Sequence, residues 1–492
     1  REVIMSNPYG VAGPDALPGA VPGCLPIDPP PRRRLLADLR AAVRGTEQDY
    51  TEGPIGRALF LLAVPMVLET AMESVFALTD VFWVSRLGAD AVTTVGLTES
   101  VLTLVYTVGI GLGFGVTAMV ARRTGEKDPN GAARTAFHSI LLGVGVAALL
   151  GVAGGVWAEE ILGLMGASPE VVAAGTGYTR IMLAGNATVL LLFLLNAAFR
   201  GAGDAVIAMR VLWLANGINI VLDPALIFGW GPFPTLGLDG AAVATNVGRG
   251  IAVLVQIATL ARSNGRLRIR REHMRFEPKL LWQLVRISGT GVLQIFVATS
   301  SWIVLTRILA GFGTLPVAGY TIALRIVIFA LMPAWGLSNA AATMVGQSLG
   351  AGKPERAERS VRLAGVANMA VLGLTGLVFI LFAPPLVGFF TTDPEVVRWG
   401  ILCLRIVGIG FPFYALGMVL VQAFNGAGDV WTPTFINLGC FWLFELPLAW
   451  LLAHGVGHGP AGVFAAIALA ESSLAVVSAL VFRWGRWKAK KV

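Results

Sequence analysis

The chain alternates long apolar blocks with short polar stretches. Each block runs 20 or more residues, enough for a helix to cross roughly 30 Å of hydrocarbon. Inside the blocks Leu, Ala, Val and Gly follow one another without the alternation of a half-buried strand. Backbone groups in lipid must be bonded internally, which leaves helices or closed barrels, and unbroken apolar runs select helices. Twelve spans are expected, at about 57–84, 92–121, 132–156, 172–199, 205–229, 239–262, 279–309, 315–347, 360–385, 396–424, 430–453 and 460–484. Residues 1–50 have a different pattern, rich in Pro and Gly and then basic. They read as a disordered tail without a signal-peptide core, ending in a short interfacial amphipathic helix near 33–44.

Composition agrees. Of 492 residues 55% are hydrophobic and 13% charged, with a mean hydropathy of +0.73, whereas a soluble protein carries about 25% charged residues. The net charge of +8 sits in short loops and tails rather than in a basic domain, which argues against nucleic acid as a partner. Loops after even-numbered spans are basic (ARRTGEKDPNGAAR, ARSNGRLRIRREHMRFEPK, AGKPERAERSVR), and those after odd-numbered spans hold one clear cation, Arg86. The positive-inside rule then puts both termini in the cytoplasm, for a multi-pass protein of the cytoplasmic (inner) membrane. Cys24, Cys403 and Cys440 show no metal or disulfide spacing, and His138, His273, His454 and His458 form no ligand pair. No nucleotide-binding motif is present, so an ion gradient or the substrate's own gradient must supply energy.

The sequence repeats. Ala198-Phe199-Arg200-Gly201-Ala202-Gly203-Asp204 recurs as Ala423-Phe424-Asn425-Gly426-Ala427-Gly428-Asp429, and Gly125 recurs as Gly350 at the same offset. The reading is an all-α membrane protein of two pseudo-symmetric six-helix lobes. Residues 51–262 form the first and 279–484 the second, joined by a basic linker at 263–278. The N-terminal tail (1–50) precedes them and a basic tail (485–492) follows. Transporters are often built from such repeats, with the substrate site at their interface.

Ionisable groups within spans are costly and mark function. The in-span acids are Glu69, Glu73 and Asp80 on span 1, Glu99 on span 2, Asp223 on span 5, Glu445 on span 11 and Glu471 on span 12. Glu69, Glu73 and Asp80 share one helix face, and Asn219 lies one turn before Asp223. Spans 1 and 5 run the same way, and Asp80 and Asp223 lie at matching depth in the outer half. Two nearby carboxylates in a low dielectric cannot both ionise cheaply. Such a pair binds a proton, a sodium ion or an organic cation in competition, which is the minimal physics of antiport. Glu445 and Glu471 read either as packing partners or as functional groups. Pro65 removes a backbone bond within span 1, giving a static kink or a hinge. Tyr178 is the aromatic residue expected in a cavity.

The duplicated FRGAGD/FNGAGD, the segment Thr79-Asp80-Val81-Phe82-Trp83-Val84-Ser85-Arg86-Leu87-Gly88 and the pair Asn219 with Asp223-Pro224 resemble the multidrug and toxic compound extrusion (MATE) family, closest to its prokaryotic DinF-like branch. The resemblance covers about residues 55–484. It implies two lobes in a V around a central cavity, and export of organic, mostly cationic or amphiphilic compounds in exchange for protons or sodium. It implies ion and substrate binding by Asp80, Asn219 and Asp223, with any sodium held at those three. Tyr178, Asn196 and Thr245 match lining positions, and Pro65 matches a proline whose bending collapses the cavity. The acid that other branches carry on span 7 is absent here, with Gln294 the nearest polar residue, and span 10 also lacks one. Glu69 and Glu73 are extra charges on span 1. The expected partners are small organic substrates and membrane lipid around a monomer, with no cofactor beyond the coupling ion. The alternative is a lipid-linked saccharide flippase of the same superfamily. An intramembrane enzyme would need a nucleophile–base pair within the spans, and the sequence supplies none.

Overall fold

The computed structural model describes residues 31–45, 48–262 and 265–490; the tail before residue 31, with Cys24, lies outside them. Among the described residues twelve helices are long and apolar enough to cross a membrane. Spans 1 to 6 are Ile55–Leu87, Ala89–Gly125, Pro129–Val156, Pro169–Ala202, Ala205–Phe228 and Leu238–Arg262. Spans 7 to 12 are Pro278–Ala310, Thr314–Gly350, Pro354–Gly388, Pro394–Gly426, Trp431–Gly455 and Pro460–Arg483. Each coincides with an expected block. Two local features break the regular helix: span 4 is interrupted at Gly185-Asn186, and span 11 is π-helical over Leu438–Glu445 and Leu451–Gly455.

The repeated motif is a pair of helix ends. After span 4, Gly203 turns left-handed at φ 86° and the Asp204 amide donates to the Phe199 carbonyl at 2.8 Å. After span 10, Gly428 adopts φ 78° and Asp429 donates to Phe424 at 3.0 Å. Both close the orphan carbonyls of the last turn, and a side chain at either glycine would be strained. The packing repeats too: spans 1–5, 2–4 and 4–6 touch in the first lobe as spans 7–11, 8–10 and 10–12 touch in the second. The indole of Trp213 donates to the Leu68 carbonyl and that of Trp442 to the Val297 carbonyl, each at 3.0 Å.

Among the described residues the lobes meet towards one end. Spans 1 and 2 contact spans 7 and 8 through positions too tight for a side chain. A Cβ on Gly111 would lie 2.3 Å from the Val292 nitrogen, one on Gly125 2.0 Å from the Gln347 oxygen, and one on Gly350 2.2 Å from the Arg122 oxygen. This is the end that carries the described N-terminal helix and C-terminal residues. Its core, which includes Leu62, Met66, Met344 and Phe424, draws on both lobes. At the far end each lobe has its own core, around Leu102, Tyr178 and Leu190 in the first and around Leu305, Phe411 and Phe464 in the second.

The N-terminal helix Pro31–Arg44 packs against span 1, with Ala42 buried. The end of this helix and the segment after it straddle both lobes. In the first, Arg210 donates to the carbonyls of Val43 and Arg44. In the second, Arg356 donates to those of Tyr50, Glu52 and Gly53, and Lys353 to that of Thr51. Lys490 near the C-terminus pairs with Asp429 at 3.0 Å, while its carbonyl accepts from Arg122.

Candidate functional site

The far half of the first lobe gathers most of the expected residues. On span 5, Asn219 and Asp223 stand one turn apart and are buried. Span 6 comes close because Gly240 and Gly248 face main chain: a Cβ would meet the Leu226 oxygen at 2.6 Å and the Ala215 oxygen at 2.7 Å. That approach brings Thr245 within reach, and its hydroxyl accepts from the Asn219 amide at 3.0 Å. At the end of span 1, Trp83 stacks edge-on against Phe228 and Trp230, with centroids 6.2 and 5.8 Å away. This aromatic clasp fixes the last turns of span 1 beside span 5 and sets Asp80 within electrostatic reach of Asp223. Tyr178, also buried, faces Asp80, Glu99 and Asp223.

Asp223 is fully buried, and no protein donor among the described residues meets either of its carboxylate oxygens. Asp80 is buried and has no hydrogen-bond partner within the described residues. A buried carboxylate with no donor on its oxygens is costly, and of the pair Asp80 has a guanidinium, that of Arg249, within electrostatic reach. Such a pair is therefore suited to taking up a positive charge and giving it back.

The structure separates Glu69 and Asn196 from this pair, whereas Glu99 lies within electrostatic reach of Asp80. Glu69 is 4% exposed and pairs with Arg200 at 3.0 Å. Asn196 donates to the same Glu69 oxygen at 3.0 Å and accepts from Gln256 at 2.6 Å. Asn196 thus belongs to a network nearer the lobe contact and is not brought to Asp80. Glu73 lies between the two groups, 3.6 Å from Arg249 and 3.3 Å from the Asn216 amide. Arg249 is buried on span 6 under Phe76 and Tyr106. Glu99 is exposed on span 2, within electrostatic reach of Arg249 and, across the gap between lobes, of Arg325 on span 8. Pro65 is buried in the helix Ile55–Val84 and borders a cleft of about 200 Å³ under the N-terminal helix.

The sequence model of one family, MatE, matches this chain twice, over residues 65–225 and 292–451, once per lobe and across more than half its length. The chain belongs to the MatE family. Its MatE relatives include the probable multidrug resistance protein NorM of Thermotoga maritima, 26% identical over 89% of this chain and 94% of that one. They also include a protein of Shewanella oneidensis named FAD transporter, 29% identical over 80% of this chain and 88% of that one. A solved structure described as the outward-facing conformation of a multidrug resistance MATE family transporter of the MOP superfamily matches with a TM-score of 0.83 at 25% identity, covering 91% of this chain and 99% of that one. This MatE chain is accordingly an all-α, multi-pass membrane transporter of the extrusion type.

Reading only the in-span acids missed their partners. Arg249 and Arg325 interrupt apolar blocks as plainly as the acids do, and the same cost argument applied to bases would have found them. Arg200 read as part of a loop motif, but it lies in the last helical turn of span 4 and reaches inward to Glu69. The extra charges on span 1 are therefore paired, Glu69 with Arg200 and Glu73 with Arg249.

Proposed function

We propose that this transporter exports organic cations and amphiphiles across the cytoplasmic membrane, in exchange for a proton or sodium ion bound by Asp80 and Asp223. Asn219, Thr245 and Tyr178 line the site. The observation that carries the reading is the pair itself: two buried acids within electrostatic reach, one with both oxygens unmet by any donor among the described residues. With both termini cytoplasmic, as the basic loops indicate, the closed end faces the cytoplasm and the pair lies in the outward half. Ion binding neutralises the pair and releases the compound. Span 1 bends at Pro65, and the cleft beside that proline gives the bend room. The lobes then rock so that the ion leaves inward and a new compound binds. The protein acts as a monomer, with membrane lipid around it.

The first test is efflux of ethidium from vesicles containing purified protein under an imposed pH gradient, with and without sodium. We expect gradient-driven efflux that Asp80→Asn and Asp223→Asn each abolish while folded protein remains in the membrane. Normal efflux by Asp80→Asn would refute the site. A second cargo class is favoured by one observation, the buried Arg249 and the exposed Arg325, both within electrostatic reach of Glu99. The Shewanella relative's name makes FAD the anion to load into the same vesicles.

A further inference from the structure

The second lobe holds its own buried acids, Glu445 on span 11 and Glu471 on span 12, 1% and 9% exposed. The repeat identifies their first-lobe counterparts. Span 6 crosses the Leu226 carbonyl at Gly240, and span 12 crosses the Leu452 carbonyl at Gly462. Counting on equally from those crossings aligns Arg249 with Glu471. Trp213 and Trp442 make matching indole bonds, and three residues on from them Asn216 aligns with Glu445, while counting back from the Leu226 and Leu452 crossings reaches Asn219. In the first lobe these positions place an amide and a guanidinium around Glu73. The matching position on span 7 is Trp302, and the guanidinium is replaced by a carboxylate. The polarity of this corner is reversed between the lobes.

No Lys, Arg or His among the described residues forms an ion pair with either acid. The titratable groups facing them from the packed elements are Tyr320 on span 8, Tyr414 on span 10 and Cys440 on span 11. Cys403 on span 10 faces Tyr320. In each glutamate Oε2 is buried and meets no protein donor. Glu471 lines a cavity of about 50 Å³ together with Trp302, Tyr320, Cys403, Phe411 and Tyr414. Two carboxyls at membrane depth with no cation beside them must share a bound positive charge. Beyond the carboxyls the oxygen-bearing side chains of the cavity lining are the two phenols of Tyr320 and Tyr414 among mostly apolar groups, a set suited to a proton.

We infer that Glu445 and Glu471 form a proton-binding site in the second lobe, independent of the Asp80–Asp223 pair. It stands on the second lobe's own geometry rather than on the first-lobe reading. The proton sits on one of the two carboxyls, which lie within electrostatic reach of each other, and Glu471 meets it at the wall of the cavity.

The test uses full-length protein in vesicles of phosphatidylethanolamine and phosphatidylglycerol, without substrate. Infrared spectra at neutral pH report protonated carboxyl groups. The expected result is an absorption that Glu445→Gln/Glu471→Gln loses in part and that Asp80→Asn/Asp223→Asn retains in that same part. Glutamine matches the neutral acid in shape, so the fold should survive, and each single variant provides a second measurement. Unchanged absorption in the folded double glutamine variant would overturn the inference. Normal efflux by Asp80→Asn would instead sink the first-lobe reading and leave this result standing.

Discussion

Gly125→Ala tests how the lobes close. The added Cβ would sit 2.0 Å from the Gln347 carbonyl oxygen, against the 3.4 Å of ordinary contact. Spans 2 and 8 must part by about an ångström, and the reciprocal contact of Gly350 with the Arg122 carbonyl leaves no slack on the other side. Overpacking of this kind costs about 1–3 kcal/mol. The cost falls on the conformation in which these spans touch and is relieved when the lobes separate there. The equilibrium therefore shifts towards opening at this end by about 5- to 150-fold, the factor that 1–3 kcal/mol represents. Ser348 is fully buried beside this contact, so Ser348→Cys in a background without Cys24, Cys403 and Cys440 reports opening through its rate of maleimide labelling. We expect the rate to rise within that range in Gly125→Ala. Gly96→Ala, where a Cβ meets nothing within 4 Å, should label like the parent. Parental labelling and thermal stability in Gly125→Ala would refute the argument that closure depends on this approach.

Two further outcomes follow from the ionic contacts. Arg200→Met leaves Glu69 buried with Asn196 as its remaining donor. The loss should be about 3 kcal/mol in SDS unfolding from mixed micelles, and Glu69→Gln on the same background should recover part of it; additive losses would contradict the pairing. Arg356→Ala removes donors to three backbone carbonyls of the segment 50–53, and limited proteolysis there should quicken about tenfold as the local opening becomes easier; an unchanged cleavage rate would show that the segment is held by other contacts.

The spans were legible because lipid imposes one rule on every backbone group, so length and apolarity alone locate Ile55–Leu87 or Pro460–Arg483. The repeat was legible because a left-handed helix end demands glycine, and Gly203 and Gly428 keep that demand in view. Asp80 and Asp223 could be matched by depth, since rise per residue is fixed along a helix. What stayed hidden depends on which helix faces which. Nothing local tells that Arg200 reaches Glu69 or that Asn196 turns towards Gln256. The π-helical turns of span 11 are equally silent, because they change the register of hydrogen bonds without changing the apolar pattern.

The segment between the N-terminal helix and span 1 is gripped by its carbonyls: Arg356 and Lys353 hold residues 50–53 by main-chain oxygens, as Arg210 holds residues 43 and 44. Any residue offers the same oxygen. A tether held in this way sets how far two bodies can travel by how many links it has, and beyond its length it needs only its left-handed Gly45 and Gly53 and its buried Tyr50 and Thr51.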